Sequence, residues 1–152
     1  MVTQLNLQKV KETADDVFRN GFTCGETVVF TLNKEYELGL PDSVISLASG
    51  FPFGFGDGGN LCGAVAGATM MLGHVFGRST PGDPKFQKCL DVTRELNEYI
   101  ISNKQTVICP DYIKDYEFAT PERKDVCSDL LFTVIDAFAM IMEREYNVTT
   151  IR

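Results

Sequence analysis

Residues 60–77 read Asn60-LCGAVAGATMMLGHVF-Gly77, and how this stretch is read decides the fold. The uncharged run extends from Gly58 to Gly77, 20 residues, which reaches the ~20 that a helix needs to cross a bilayer. Its composition argues for a different setting. Asn60, His74 and six glycines (Gly58, Gly59, Gly63, Gly67, Gly73, Gly77) dilute its hydrophobicity, so it reads as a buried, close-packed helix. Asn60 can cap a helix from about Leu61 to Phe76, which puts Cys62 in its first turn. Gly63 and Gly67 then fall on one face, and Gly59 continues the spacing backward. Glycine inside a helix costs roughly 1 kcal/mol relative to alanine, so the spacing implies close approach by another helix backbone or by a flat ligand held at Gly59, Gly63 and Gly67.

Outward from this helix, the apolar spacing is helical throughout. Leu7, Val10, Ala14, Val17 and Phe18 predict an amphipathic helix that stops at Asn20-Gly21. Thr23 and Glu26 form a capping-box pattern, followed by Cys24, Val28, Thr31, Leu32 and Tyr36 on one face, so Cys24 lies in the first turn of a second helix. Pro41-Asp42 opens a short helical run to Ala48, and the glycine-rich FPFGFGDGGN of residues 51–60 is expected to be a loop that covers the site next to Cys62. After the turn residues 77–84, Phe86, Cys89, Leu90, Thr93, Leu96 and Ile100 mark a fourth helix. Residues 107–118 lose the period and carry Cys109 before Pro110. Thr120-Pro121 starts a last helix, with Cys127, Leu131, Val134, Ile135, Phe138, Ile141 and Met142 along one face. No strand alternation, repeat or low-complexity tract is evident. The expectation is a single all-α domain over residues 1–152, a compact bundle of about five helices with a glycine-rich loop before the central one.

The chain has 152 residues, 44% of them hydrophobic and 23% charged, which is ordinary globular usage and argues against disorder or coiled coil. Fourteen basic against twenty-one acidic residues leave a net charge of -7, a field that repels nucleic acid and anionic membranes. Five cysteines without a leader resembling a signal peptide point to a cytoplasmic protein whose thiols stay reduced. Gly54, Gly56 and Gly59 match a GxGxxG spacing, but no strand precedes them, so a dinucleotide fingerprint is rejected. Asn147-Val148-Thr149 is a glycosylation pattern without a secretory context.

A thiol in the first turn of a helix meets unpaired N–H groups and the positive end of the dipole, and both favour the thiolate. Cys24 and Cys62 are therefore expected to be the reactive thiols, against the plainer reading of cysteine as a small buried hydrophobe. Cys89 sits on an apolar stripe and reads as core. His74, the only histidine, shares a face with Gly63, Gly67 and Met70 and reads as a structural group rather than a ligand or proton shuttle.

Gly21-Phe22-Thr23-Cys24, the glycine-rich Phe53–Gly59 segment, Cys62-Gly63-Ala64-Val65-Ala66-Gly67-Ala68 and two later cysteines together resemble the redox-active proteins named for the pattern C_GCAxxG_C_C. The resemblance spans most of the chain and implies a small helical protein doing redox work. It also implies that Cys24, Cys62, Cys109 and Cys127 correspond to the family's four cysteines and that Cys89 is additional. Their separations are 38, 47 and 18 residues with no CxxC, so the local signatures of zinc ribbons, thioredoxin-like sites and ferredoxins are absent. Two readings stay open: Cys24, Cys62, Cys109 and Cys127 as catalytic dithiols without a cofactor, or the same four as ligands of an iron–sulfur cluster or another metal centre. The leading function is electron transfer or thiol–disulfide exchange, as an oxidoreductase or electron carrier. The alternative is a non-enzymatic helical module that binds a metal or small ligand with structural cysteines. A redox protein or a small electron donor is the expected partner, and a homodimer is left open.

Overall fold

The computed structural model describes residues 1–152 and is predominantly helical. A strand β1 (Gln4–Asn6) leads into α1 (Leu7–Arg19) and α2 (Cys24–Glu35), a 3-10 helix covers Asp42–Ala48, and the one-turn α3 (Pro52–Phe55) precedes α4 (Gly63–Phe76). Then come α5 (Lys85–Lys104), the short α6 (Cys109–Ile113), the long α7 (Pro121–Tyr146) and β2 (Thr149–Ile151). The five long helices are those the periodicity predicts. Two single turns, α3 and α6, raise the count to seven.

The core is one cluster of 30 buried residues that runs from Leu5 to Val148. α7 is its axis: Leu130, Leu131, Val134, Ile135, Phe138, Ile141 and Met142 are buried. Tyr36 of α2 meets the Phe138 ring edge-on at 5.2 Å. α4 is enclosed on most sides, with Gly63 to Ala68, Met71, Leu72 and Phe76 buried, which accounts for its uniform hydrophobicity. No helix is long and apolar enough to cross a membrane.

Three details differ from the sequence reading. β1 and β2 pair in parallel, Leu5 opposite Thr150, and join the two ends of the chain. Three-residue strands are too short to show an alternation, and their pairing is long-range, so nothing local announces them. α4 begins at Gly63 with Cys62 at its cap position, two residues later than the Asn60 cap predicts. The Asn60 carbonyl is engaged elsewhere, accepting the Cys109 N–H at 2.8 Å. His74 does not share the close-packed face of Gly63 and Gly67: it is exposed in the last turn of α4, with Nε2 3.3 Å from the Leu38 carbonyl.

Candidate functional site

Cys24 is the first residue of α2, and the Thr23 N–H before it donates to the Glu26 carboxylate at 2.9 Å. Glu26 also accepts from Ser49 Oγ at 2.8 Å, which anchors this helix end. α2 packs on α4 through glycine. A Cβ at Gly67 would lie 2.9 Å from the Gly25 carbonyl, and one at Gly63 would lie 2.7 Å from Cys24 Sγ and 3.0 Å from the Phe51 carbonyl. The space in front of Gly63 and Gly67 is thus filled by the protein itself, so of the two sequence readings, backbone approach describes them and a ligand cradle does not. At Gly59, φ is +69° and the nearest neighbour of a Cβ would be the Pro110 ring at 3.5 Å.

The missing side chain at Gly63 lets the Cys24 sulfur lie against the start of α4. There the backbone N–H groups of Gly25 and Ala64, at the starts of two helices, both favour the ionised form of this one sulfur. The Cys62 thiol is placed to donate to it. That donation is the largest cause of a Cys24 pKa below the ordinary thiol value, followed by the opposing cost of burial and then the favourable backbone N–H groups. Cys62 moves the other way: donation to Cys24, burial and the Cys24 charge all raise its pKa. The two neighbouring thiols are therefore shifted in opposite directions, Cys24 toward easier ionisation and Cys62 away from it.

Cys109 reaches the same place by a route that no local pattern reveals. Leu61 and Ile108 form an isolated antiparallel bridge; the Cys62 N–H donates to the Val107 carbonyl at 2.8 Å and the Cys109 N–H to Asn60. This clamp sets α6 beside the start of α4. Cys127, in the second turn of α7, completes the group. Burial raises the pKa of Cys109, and it pushes Cys127 up to about 11; the Cys24 charge acts in the same direction on both, while Arg123 opposes it.

Cys24, Cys62, Cys109 and Cys127 line one cavity of about 320 Å³, and Cys89 does not. All five are free thiols. Phe53 and Phe118 form part of the wall with ring centroids 5.8 Å apart, and the Arg123 guanidinium lies 5.7 Å and 5.1 Å from them. Tyr112 also faces the cavity, its hydroxyl bonded to the Thr106 carbonyl. Phe53 is presented by an unusual backbone: Phe53, Gly54, Phe55, Gly56 and Asp57 all have left-handed φ, from +57° to +75°. Non-glycine residues pay about 1–2 kcal/mol each for this conformation. The segment read as a loop is therefore a left-handed turn whose hydrogen bonds include Asn60 N–H to the Gly54 carbonyl at 3.0 Å.

The pattern of the family described as "Putative redox-active protein (C_GCAxxG_C_C)" matches residues 22–141 of the chain. The chain belongs to this family. No curated protein and no solved structure matches it. The matched segment contains all five cysteines, four of which line the cavity, and redox activity is the property the family is described by. Thiolate donors suit iron–sulfur clusters and zinc. No three His, Cys, Asp or Glu side chains are grouped so that they could hold a metal ion, so as placed these residues do not fit such a centre. Phe53 lies in the aromatic and glycine stretch that the sequence offers as a wall beside Cys62, whereas Phe118, Tyr112 and Arg123 were not singled out by the sequence. Arg123 looks like an ordinary first-turn residue after Thr120-Pro121, and only the packing of α7 against α6 brings it to the cavity that the cysteines line.

Proposed function

We propose that this C_GCAxxG_C_C domain is a dithiol–disulfide redox protein of a reducing compartment such as the cytoplasm, working as an oxidoreductase or electron carrier. Cys24 is the attacking thiolate and Cys62 the thiol that closes the disulfide. The observation that carries the reading is the convergence of Cys24 and Cys62 on one cavity, with the Cys24 sulfur lodged against Gly63 at the start of α4; the opposite directions in which the two pKa values move support it. Thiolates, not thiols, attack disulfides, and a lowered pKa makes the same sulfur the better leaving group when the bond is reopened. Cys109 and Cys127, whose pKa values are raised, line the same cavity and in this reading receive the disulfide or relay it. His74 and Cys89 have no part in the chemistry.

Alkylation of the reduced protein should modify Cys24 first at neutral pH, with Cys62 and Cys127 lagging. This narrows the sequence expectation, which has Cys24 and Cys62 both labelling ahead of Cys89, to Cys24. Treatment with diamide, a two-electron thiol oxidant, followed by peptide mapping should give a reversible Cys24–Cys62 disulfide and leave Cys89 free. Equal labelling of all five thiols, or no Cys24–Cys62 bond, would remove the reading in favour of buried structural cysteines. Iron, sulfide and zinc assay of protein purified without oxygen is the companion measurement, and stoichiometric metal would replace the dithiol pair with a Cys-ligated centre.

A further inference from the structure

The cavity in front of the pair carries information about its substrate. At about 320 Å³ it lies at the lower end of the roughly 300–1,000 Å³ range of ligand pockets, room for a small organic molecule rather than a nucleotide or a folded chain. Phe18, Phe22, Pro52, Ile113 and Leu130 make much of its wall apolar. Its α7 side differs. Arg123 and Lys124 both line the cavity, both are half-buried, and neither is in an ion pair with a carboxylate of this chain. In a protein of net charge -7 this is a local reversal of sign. No carboxylate lines the cavity.

A hydrophilic disulfide would gain nothing from the aromatic wall, and a purely apolar one would cover the Arg123 guanidinium without pairing it. An apolar chain with an anionic end satisfies both. We propose, resting on the dithiol reading above, that the cavity takes a small aliphatic disulfide, or its dithiol form, whose chain ends in a carboxylate, with the carboxylate on Arg123 and the sulfurs against Cys24.

The exchange balances without a further reactant. The Cys24 thiolate attacks one ligand sulfur, the ligand S–S bond breaks, and the departing sulfur takes up a proton. The Cys62 sulfur then attacks Cys24 Sγ, its proton going to the second ligand sulfur as the mixed disulfide opens. Counted from the Cys24 thiolate and the Cys62 thiol, the protein has lost two electrons and one proton, and the ligand disulfide has gained two electrons and two protons as a dithiol, the proton on the first departing sulfur coming from water. Run backward, a ligand dithiol reduces the Cys24–Cys62 disulfide.

The test uses the backward direction. Protein oxidised with diamide is mixed at low ligand concentration with dihydrolipoate or with dihydrolipoamide, its neutral amide on the same chain, and thiol release is followed by stopped alkylation and mass spectrometry. The carboxylate should react at least about tenfold faster, the usual scale for a charge-assisted hydrogen bond to a partly buried partner. In Arg123→Gln the carboxylate-to-amide ratio should fall close to one, and Arg123→Lys should restore part of it. The ratio is internal to each protein, so partial loss of folded variant does not alter it. Equal rates with the two ligands in the unmodified protein would overturn the ligand class while leaving the dithiol pair standing. A preference that persists undiminished in Arg123→Gln would overturn the role of Arg123. Failure of diamide to form the Cys24–Cys62 bond would sink the dithiol reading itself.

Discussion

Gly63→Ala is the substitution that most directly probes how the site is made. The added Cβ would lie 2.7 Å from Cys24 Sγ, about 0.7 Å inside the 3.4 Å at which ordinary contact begins, with the Phe51 carbonyl at 3.0 Å closing the other side. The sulfur must therefore retreat, and retreat takes it away from the Ala64 N–H and from Cys62. Overpacking of this size costs roughly 1–3 kcal/mol, which for a protein of this length lowers Tm by about 2–4 °C per kcal/mol. The chemical effect should be separate and larger in proportion. Each unit by which the Cys24 pKa rises lowers its thiolate fraction at neutral pH about tenfold, while the more basic thiolate gains intrinsic nucleophilicity, so alkylation slows about three- to fourfold per unit. Gly67→Ala is the comparison, because its Cβ would press on the Gly25 carbonyl at 2.9 Å and on Val28 rather than on sulfur. The assay is the pH dependence of iodoacetamide labelling at Cys24, read by mass spectrometry, beside thermal unfolding. Gly63→Ala should move the midpoint of the labelling profile upward toward an ordinary thiol, whereas Gly67→Ala should lose stability and keep the profile. An unchanged midpoint in folded Gly63→Ala would refute the claim that the glycine exists to admit the sulfur.

Two further outcomes follow from other parts of the site. Burial favours the protonated form of Cys127 and raises its pKa from 9.0 to about 11, so its contribution to stability is complete below pH 9 and is lost as pH rises toward 11, on the order of 2–3 kcal/mol in full. Denaturant unfolding at pH 8 and pH 10.5 should show that loss, with a smaller one in Cys127→Ala; identical slopes in the two proteins would contradict it. The second concerns Phe53, whose φ of +57° glycine adopts without strain. Phe53→Gly should recover about 1–2 kcal/mol of backbone strain against the loss of a ring that is 38% exposed, leaving Tm nearly unchanged while Cys24 labels several-fold faster. A slower or equal rate would mean that the ring does not guard the cavity. Valine at Gly58 is a poorer probe of the same segment, since its Cβ would meet the Phe55 carbonyl at 2.8 Å and disturb the turn itself.

Much of the architecture is legible locally because helices are local. The 3.6-residue spacing of Val28, Leu32 and Tyr36, or of Leu131, Val134, Ile135 and Phe138, identifies a face without knowing its partner, and Thr23 with Glu26 marks a helix start from four residues. The same logic puts Cys24 at a helix start and Cys62 beside one. It reads residues 51–60 as a loop but gives no sign of the left-handed run at residues 53–57, since two phenylalanines and an aspartate have no propensity for it. It also gave His74 a place on the packed face, because helical spacing says which residues share a side but not where along its length a helix leaves the core.

By itself, then, the sequence determined that the chain is helical, where its long helices start and stop, and that Cys24 and Cys62 sit where backbone N–H groups are unpaired. Tertiary structure alone set the two thiols apart. Two helix N-termini meet at Cys24 because Gly63 and Gly67 let α2 and α4 touch, and the Cys24 pKa falls while that of Cys62 rises, chiefly through the hydrogen bond between them. Tertiary structure also brought in Cys109, through the pairing of Leu61 with Ile108, and Arg123, through the packing of α7. Such contacts join residues tens of positions apart, and their energy depends on distances of a few ångströms that no local spacing encodes.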